Sequence, residues 1–337
     1  MTREANGRFW DCPRHDSRFD LPVKVLDGLA VSPLASVGSF PVDPRVRRAA
    51  DGRAMTNSAP YKSSRDREVD IRNGISRGIR LIEIHEQRWF PDQIRDGVTD
   101  ALHFILRISG IYRPIESSLN RAFRACGTRR VVDLCSGGSG PWLWLCQALR
   151  DRYGRTVEVC LTDKYPNNSA FEHVHQVTQG CITYFPKSVD ATTVPYELLG
   201  FRTIFSSFHH FSRNEAVDIL QNAVDHQQGI GVFEAARRHP VTILLTSLMF
   251  VGGFLTAPFI RPFRASRLFW TYLIPVIPSV LFFDGIVSCL RAYSPRELSE
   301  MIDSLKAEGY AWEVGEEKAR LVTVTYMLGW PTKEGSQ

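Results

Sequence analysis

The sequence predicts an α/β fold: a doubly wound, seven-stranded, mostly parallel sheet with a helical apolar insertion. Short runs rich in Val and Ile alternate with helical segments between residues 130 and 233, which favours parallel strands joined by crossovers. Two more β-rich runs, at 311–314 and 321–327, close the chain about a hairpin's distance apart. A long charge-poor stretch, 241–283, separates these two parts.

The composition is that of a globular protein. The chain has 337 residues, of which 44% are hydrophobic, enough for one large domain or two modest ones. It excludes a collagen or coiled-coil fibre and a disulfide-stapled small protein. The formal net charge is only +5, so no nucleic-acid partner is expected.

The cysteines and the N-terminus indicate a reduced, cytoplasmic protein. Seven cysteines are scattered without C-x-x-C pairs, and most of them sit in apolar runs, which is typical of buried thiols. They have no zinc-binding spacing, so no metal site is predicted. The N-terminus is polar and lacks the apolar segment of a secretory signal.

Residues 1–78 are predicted to form a largely disordered basic tail, because they mix Pro, Ser, Gly, Asp and Arg without a sustained period. An arm that binds a membrane surface or a partner is the alternative, and Met55 is a second candidate for the true start. Residues 79–127 are expected to form a helical cap. Its first helix has Pro91 at its first position and ends near Gly110.

The main domain is expected to comprise residues 128–236 and 292–332, and the insertion residues 237–291. Within this domain, Ser294, Pro295 and Glu297 have the pattern of a helix capping box. The other predicted elements are strands at 130–134, 157–162, 181–186, 202–207 and 229–233, and helices at 114–125, 141–153, 213–226 and 294–307.

The segment Asp133 to Pro141 is the sharpest local signal. A strand ends in an acid, and a loop of small residues then leads into a helix. Such a loop lets backbone approach a ligand closely, and the helix N-terminus offers unpaired N–H groups. In an open parallel sheet, ligands bind at this edge.

Glycine spacing disfavours a dinucleotide at this loop. The dinucleotide fingerprint is G-x-G-x-x-G. If it started at Gly138, Leu143 would stand in place of the third glycine. If it started at Gly137, Ser139 would stand in place of the second.

The loop instead resembles the first motif of class I S-adenosylmethionine-dependent methyltransferases, which reads acid-x-G-x-G-x-G after a strand. Here the acid is Asp133, the kept glycine is Gly137, and Cys135 and Ser139 are small replacements for the other two. The resemblance extends from about residue 129 to 330, apart from the apolar stretch. It implies the fold predicted above and S-adenosylmethionine as the cofactor.

The resemblance also implies roles for individual residues. Asp163, after the second strand, would accept hydrogen bonds from both ribose hydroxyls, and Asp190 would meet the adenine amino group. The segment 203–211 resembles the fourth motif, beside the transferred methyl group. The residues implied to bind the cofactor are Asp133, Cys135, Ser136, Gly137, Gly138, Gly140, Asp163, Lys164, Asp190, Ala191 and Ser207.

His209 and His210 are the candidate catalytic residues, since a hydroxyl acceptor needs a general base and imidazole titrates near neutrality. Simpler interpretations stay open. The two histidines can serve packing, Asp163 can be a helix N-cap, and Asp190 an ordinary loop acid.

The insertion contains two charge-free runs, 241–260 and 268–283, separated by Arg261, Arg264 and Arg267. We expect a helical subdomain over the active site that dips into the membrane interface with these arginines at headgroup level, or that forms an apolar acceptor tunnel. A soluble cap or dimer face and true membrane spans are the alternatives. At its end, Asp284 and Arg291 lie seven residues apart, which suits a structural ion pair or a helix-end contact. The alternative is that Asp284, Arg291 or Tyr293 touches the acceptor.

Together these features predict transfer of a methyl group from S-adenosylmethionine to a hydrophobic small-molecule or lipid-like acceptor. The acceptor atom and the oligomeric state are left open. The alternatives are an NAD-dependent oxidoreductase and a catalytically inactive, membrane-associated binding protein with the same fold. In the last case the fold alone cannot assign a function.

Overall fold

The computed structural model describes residues 2–3, 9–12, 17–20, 25–27, 82–87, 89–137, 140–260, 263–319 and 322–332. Its main body is a seven-stranded sheet with the strand order β10-β11-β9-β8-β5-β6-β7. These strands are β5 (Arg130–Leu134), β6 (Glu158–Leu161), β7 (Ile182–Tyr184), β8 (Phe201–Phe205), β9 (Ile230–Glu234), β10 (Tyr310–Ala319) and β11 (Val322–Pro331).

The five strands β5 to β9 are parallel, and β11 joins them antiparallel to β9 and to β10. This confirms the predicted fold: a mostly parallel sheet that closes with an antiparallel pair. The order reverses direction at β5, since β6 and β7 lie on one side of it and β8 and β9 on the other. The loop after β5 therefore opens at the point where parallel α/β sheets bind ligands.

Ten α-helices lie among the described residues, with short 3₁₀ turns between some of them. They are α1 (Asp92–Ser109), α2 (Glu116–Cys126), α3 (Trp142–Tyr153), α4 (Asn168–Val177), α5 (Arg213–Asp225), α6 (Pro240–Ser247), α7 (Met249–Thr256), α8 (Ala265–Leu268), α9 (Val276–Arg291) and α10 (Pro295–Ile302). The bounds differ slightly from those predicted. Pro91 is the residue before α1 and not its first residue, and α10 ends at Ile302, five residues early.

Local sequence explains several helix starts. Ser294 accepts a hydrogen bond from the backbone N–H of Glu297, whose carboxylate accepts one from Ser294, so the predicted capping box is confirmed. Ser212 and Glu215 form the same arrangement at α5. Helix α4 was not predicted, because only Phe171 and Val174 are buried in the core and most of its other residues are polar.

Apolar side chains fill both faces of the sheet. Leu119, Phe123 and Trp142 pack on one face, and helix α5 supplies Ile219 and Leu220 to the other. Both faces are buried, as parallel strands require, and the burial of all five residues of β8 and of β9 reflects this.

Four short strands lie near the N-terminus, where the sequence predicts a disordered tail. They are β1 (Thr2–Arg3), β2 (Phe9–Cys12), β3 (Ser17–Asp20) and β4 (Val25–Asp27), and they pair antiparallel in chain order. Phe, Trp and Val favour strands, which explains why these segments can pair. The largely disordered tail stays a prediction, because the remainder of 1–78 lies outside the described residues.

The insertion is helical and packs on α1. Helices α6 to α9 come from the insertion, and Ile277, Val280 and Leu281 of α9 form a cluster with Ile94 and Val98 of α1. This third apolar cluster joins the insertion to the helix that precedes the main domain. The two elements, more than 150 residues apart in the printed sequence, thus form one cap.

The two arginines of the insertion that the structure describes pair with acids of α1. Arg267 is buried and donates to Asp100 on α1 at 2.8 Å and to the carbonyl of Ile260. Arg264 is partly exposed and donates to Asp96 at 3.0 Å. The predicted position at headgroup level is therefore wrong for Arg267 and stays a prediction for Arg264; Arg261 lies outside the described residues.

By length and composition, Pro240–Phe259 is the one helical stretch able to cross a membrane among the described residues, with a mean hydropathy of 1.8. The pair Ala265–Leu273 and Val276–Arg291, bent by 77°, would be a second. Core helices of soluble proteins meet the same criteria, and seven residues of α9 are buried. Length and hydropathy therefore do not show that any of these helices crosses a membrane.

A missing side chain allows α1 and α9 to approach. A Cβ at Gly97 would lie 2.5 Å from Cδ1 of Ile277, which is too close without a shift. Gly97→Ala should therefore stabilise the fold by less than the roughly 0.5–1 kcal/mol expected for this change inside a helix, and Ile277→Val, which removes that methyl group, should relieve the clash. We expect a coupling of about 1 kcal/mol between the two substitutions in urea unfolding; additive effects would contradict this contact.

Candidate functional site

The loop after β5 has a backbone shape that few residues adopt. Gly137 and Gly140 have φ values of +58° and +52°, and Cys135 has +55°. Ser206, which follows the neighbouring strand β8, has +44°. Non-glycine residues in this region are strained, and such strain concentrates at functional sites. Here the two strained residues follow adjacent strands at one edge of the sheet.

Buried hydrogen bonds fix this loop to the sheet. Ser136 donates through Oγ to the carbonyl of Asp133 at 2.8 Å, and its backbone N–H donates to the carbonyl of Thr162 at 3.0 Å. The Asp133 carboxylate accepts from Oγ1 of Thr203 on β8 at 2.6 Å. Burial raises the pKa of Asp133 to about 6, although the hydrogen bond from Thr203 acts in the opposite direction. The buried carboxyl group thus helps to hold the loop on the sheet.

Asp163 joins the second strand to the loop. Its Oδ2 accepts from the backbone N–H of Gly137 at 2.9 Å, and its Oδ1 accepts from the N–H of Tyr165 at 2.9 Å. Helix α4 is capped by Asn167, so the alternative of Asp163 as an N-cap is excluded. A carboxylate has about four acceptor sites, so both oxygens can accept further bonds.

Lys164 and Asp190 lie beside Asp163. Nζ of Lys164 is 2.8 Å from Oδ2 of Asp190, and both side chains are partly exposed. The other oxygen of Asp190 accepts hydrogen bonds from the N–H and the hydroxyl of Thr192. Asp190 thereby caps the short turn Ala191–Thr193. Asp190 therefore has a structural role as a cap, with Ala191 buried directly behind it.

The predicted cofactor residues thus meet at one edge of the sheet. Gly137 bonds to Asp163, Lys164 to Asp190, and the charges of Asp163, Asp190 and Lys164 all act on the thiol of Cys135. Ser207 follows β8, and its hydroxyl donates to the carbonyl of Phe205 at 3.1 Å. Gly138 lies outside the described residues.

His103 of α1 covers the loop from the side of the cap. A Cβ at Gly137 would lie 3.3 Å from its Cε1. The residue as a whole is half-buried. Burial lowers the pKa of His103 to about 4 against the charge of Asp163, so the ring is neutral at pH 7.

A second polar cluster lies at the ends of β8 and β9. His209 is buried, and its Nδ1 is 2.7 Å from Oε2 of Glu234, the last residue of β9. The other oxygen of Glu234 accepts from the N–H of Phe208 at 2.7 Å. Nε2 of His209 faces Oε1 of the buried Glu83 at 3.6 Å.

His210 lies on the outer side of the same cluster. Its Nδ1 is 3.6 Å from Oε2 of Glu83 and 2.6 Å from Oε1 of Glu86. Its side chain keeps 21% of its exposure, whereas that of His209 keeps 3%. His210 is thus the more accessible of the two histidines.

This geometry disfavours His209 as a general base. Burial lowers its pKa, but the nearby carboxylates Glu234 and Glu83 outweigh burial and raise the pKa of His209 to about 10. Burial raises the pKa of Glu83, but the nearby histidines outweigh burial and lower this pKa to about 2. Without another cation the His209 ring is therefore protonated at neutral pH, and a protonated ring cannot take a proton.

Asp284 and Arg291 do not pair with each other. Asp284 accepts from the backbone N–H groups of Ile84 and His85 and lies 2.7 Å from Nδ1 of His85. Arg291 donates to the carbonyls of His209 and His210, at 3.2 and 2.7 Å. Of the predicted alternatives, the ion pair between Asp284 and Arg291 is thus wrong, because each side chain anchors a different segment to the end of the insertion, and a contact with the acceptor stays a prediction.

Glu83, Glu86 and Glu234 were missed by the analysis of the sequence. Glu234 ends a parallel strand, so the rule that located Asp133 and Asp163 would have found it. Glu83 and Glu86 precede the first helix in a segment without a helical or strand period, and their partners lie far along the chain. The sequence predicts no metal site, yet ligand atoms of Glu83, His209 and His210 all lie within 4.8 Å of one another.

No protein-family model matches the sequence, and no curated protein does. Solved structures similar to this chain include LaPhzM (13% identity, TM-score 0.44, 79% of this chain and 69% of that one). PigF with SAH has 16% identity and a TM-score of 0.43 over 73% and 62% of the two chains. A SAM-dependent methyltransferase from Aquifex aeolicus has 15% identity and a TM-score of 0.41 over 72% and 99%. The fold is assigned on the strand order of this chain itself.

The neutral state of His103 predicts a dependence of stability on pH. Because its pKa is lower in the folded chain than in the unfolded one, its contribution is present above about pH 6.5 and is lost as the pH falls towards 4. Between pH 7 and 5 the parent chain should lose about 1–2 kcal/mol more stability to urea than His103→Gln. His173→Gln, at an exposed site on α4, is the control; equal losses in all three chains would refute the assignment.

Proposed function

We propose that this chain is a class I methyltransferase that transfers the methyl group of S-adenosylmethionine to a hydrophobic small molecule. The observation that carries the proposal is the bond from Gly137 N–H to the Asp163 carboxylate at 2.9 Å. It joins the two segments that resemble the family's cofactor motifs, on adjacent parallel strands. The resemblance was found in the sequence, whereas this contact comes from the fold.

The shape of the loop suits close approach by a ligand. Gly137 and Gly140 hold left-handed backbone that a larger residue would strain, and a Cβ at Gly140 would contact the Asp133 carboxylate at 3.5 Å. Asp163 can keep its two backbone bonds and still accept from a ribose diol. Lys164, Asp190 and Ala191 would line the adenine end.

The charges at this edge favour a sulfonium over a diphosphate. The charges with the strongest effect on the thiol of Cys135 are the three carboxylates Asp133, Asp163 and Asp190 and one cation, Lys164. Lys164 is itself paired with Asp190. Carboxylates attract a cationic ligand and repel a pyrophosphate. This argument and the glycine spacing both disfavour the alternative of an NAD-dependent oxidoreductase.

The bound cofactor would supply both the methyl group and its own leaving group. The protein's part is then to orient the acceptor and exclude water. Helix α1 and the insertion close the carboxyl edge of the sheet: His103 reaches the loop, and Arg291 binds the segment after β8. The many exposed apolar side chains of the insertion support a hydrophobic acceptor.

Asp163→Ala should weaken the binding of S-adenosylhomocysteine at least about tenfold, or roughly 1.4 kcal/mol, in isothermal titration calorimetry. Asp163→Asn keeps an acceptor for Gly137 and tests the charge separately. Asp151→Ala, an exposed acid on α3, is the control. Unchanged affinity in both Asp163 variants, or binding of NAD in preference to S-adenosylhomocysteine, would contradict the proposal.

We also propose that the insertion contacts a membrane surface peripherally. Eight large apolar side chains of the insertion are more than half exposed: Leu244, Leu248, Val251, Leu255, Phe259, Phe263, Tyr272 and Leu273. Such a concentration of exposed apolar residues is typical of surfaces that bind other apolar surfaces. A peripheral enzyme could take a lipid-like acceptor directly from the bilayer.

The variant Leu248→Glu/Leu255→Glu should reduce co-sedimentation with phosphatidylcholine vesicles at least about tenfold while leaving the melting temperature unchanged, because both side chains are exposed. Tyr196→Glu, at an exposed site of the main domain, is the control. If the parent chain stays in the supernatant, or if the double variant sediments equally, the insertion does not bind membranes.

A further inference from the structure

We propose that Glu83, His209 and His210 form a binding site for a divalent transition-metal ion such as Zn²⁺ or Fe²⁺. Their ligand atoms converge within 4.8 Å of one another, from a segment before α1 and from the turn after β8. Two imidazoles and one carboxylate are the ligand set of many catalytic zinc and non-haem iron sites. Mg²⁺ and Ca²⁺ prefer oxygen ligands, so they fit less well.

The separations of these atoms suit coordination. Glu83 lies 3.6 Å from Nε2 of His209 through one oxygen and 3.6 Å from Nδ1 of His210 through the other. In a tetrahedral site with bonds of about 2.0–2.1 Å, neighbouring ligand atoms lie about 3.3 Å apart. Small side-chain movements would therefore bring all three within bonding distance.

An unpartnered buried nitrogen points to the ligand. Nε2 of His209 has no hydrogen-bond partner among the described residues, although the residue is only 4% exposed. Nδ1 of His210, by contrast, already lies 2.6 Å from Oε1 of Glu86. Buried polar atoms without partners are rare and costly, and a metal ion would satisfy Nε2 of His209.

Glu234 completes the arrangement behind His209. It holds Nδ1 of His209 at 2.7 Å, so Nε2 is the nitrogen left facing Glu83. Metal-binding histidines commonly donate their other N–H to a carboxylate, which orients the ring and increases its basicity. Glu234 would thus be a positioning residue, not a ligand.

Charge balance also favours a cation. Glu83, which belongs to the cluster, and Glu86 and Glu234, which contact its histidines, are three carboxylates, and Arg291 is the one permanently charged cation among the described residues that contact them. Arg291 lies 3.5 Å from Oε1 of Glu83, which also accepts from Ser288, and His85 lies 3.9 Å from Oε2. Protons on the histidines or a divalent ion must supply the remaining positive charge.

Three protein ligands leave coordination positions open for an oxygen of a bound ligand. If the proposed methyl transfer is correct, a hydroxyl or carboxylate of the acceptor would occupy them, since the turn after β8 resembles the motif beside the transferred methyl. Metal binding itself does not depend on that function. The two proposals can therefore fail separately.

The test uses the full chain, stripped with a chelator and titrated with Co²⁺ without any methyl donor. We expect one equivalent to bind with the visible absorption of a four- or five-coordinate ion. Glu83→Gln and His210→Ala should each weaken binding about 100-fold, and Glu234→Gln about tenfold. His173→Ala, on exposed α4, should match the parent chain.

Near-ultraviolet circular dichroism identifies any variant that fails to fold. His210 is less buried than Glu83, so His210→Ala is less prone to misfold than Glu83→Gln. Stoichiometric binding that survives both Glu83→Gln and His210→Ala would overturn the proposal. So would a parent chain that binds no Co²⁺ and whose His209 and His210 rings are both doubly protonated in nitrogen NMR. In that case protons balance the cluster.

Discussion

Burial of carboxylates at the carboxyl edge of the sheet is the constraint on which the arrangement of the cap depends. Glu83, Glu234 and Asp284 are each at most 4% exposed, and a buried charge is costly unless it is paired. Their partners come from three parts of the chain: the segment before α1, the turn after β8, and the end of α9. If any one of these three segments moved away, a buried charge would lose its partner.

That constraint extends to the cofactor loop through helix α1. The backbone of Ile84 and His85 is fixed by Asp284, and α1 begins a few residues later at Asp92. The same helix carries His103 to the loop after β5 and pairs Asp96 and Asp100 with the insertion's arginines. The position of one helix thus couples the insertion, the acidic cluster and the wall of the cleft.

The sequence was sufficient for the parts of the molecule that local patterns specify. The strand end at Leu134 and the capping box at Ser294 follow from strand periodicity and helix-start chemistry. Contacts between distant segments carry no such signal. Glu83 meets Ser288 across 205 residues, and no pattern near either residue predicts the pairing.

The histidines illustrate why a residue type does not determine its role. Both were predicted as bases because imidazole titrates near neutrality, but the environment of His209 removes that property: Glu234 occupies one nitrogen and Glu83 faces the other. Adjacent strands lie about 4.8 Å apart, so the end of β9 is about 10 Å from the end of β5, where the cofactor is proposed to bind. An acceptor held over β8 would lie between the two sites. With a metal ion between Glu83 and the histidines, deprotonation of a hydroxyl would be promoted by the ion, and no neutral imidazole would be needed as a base.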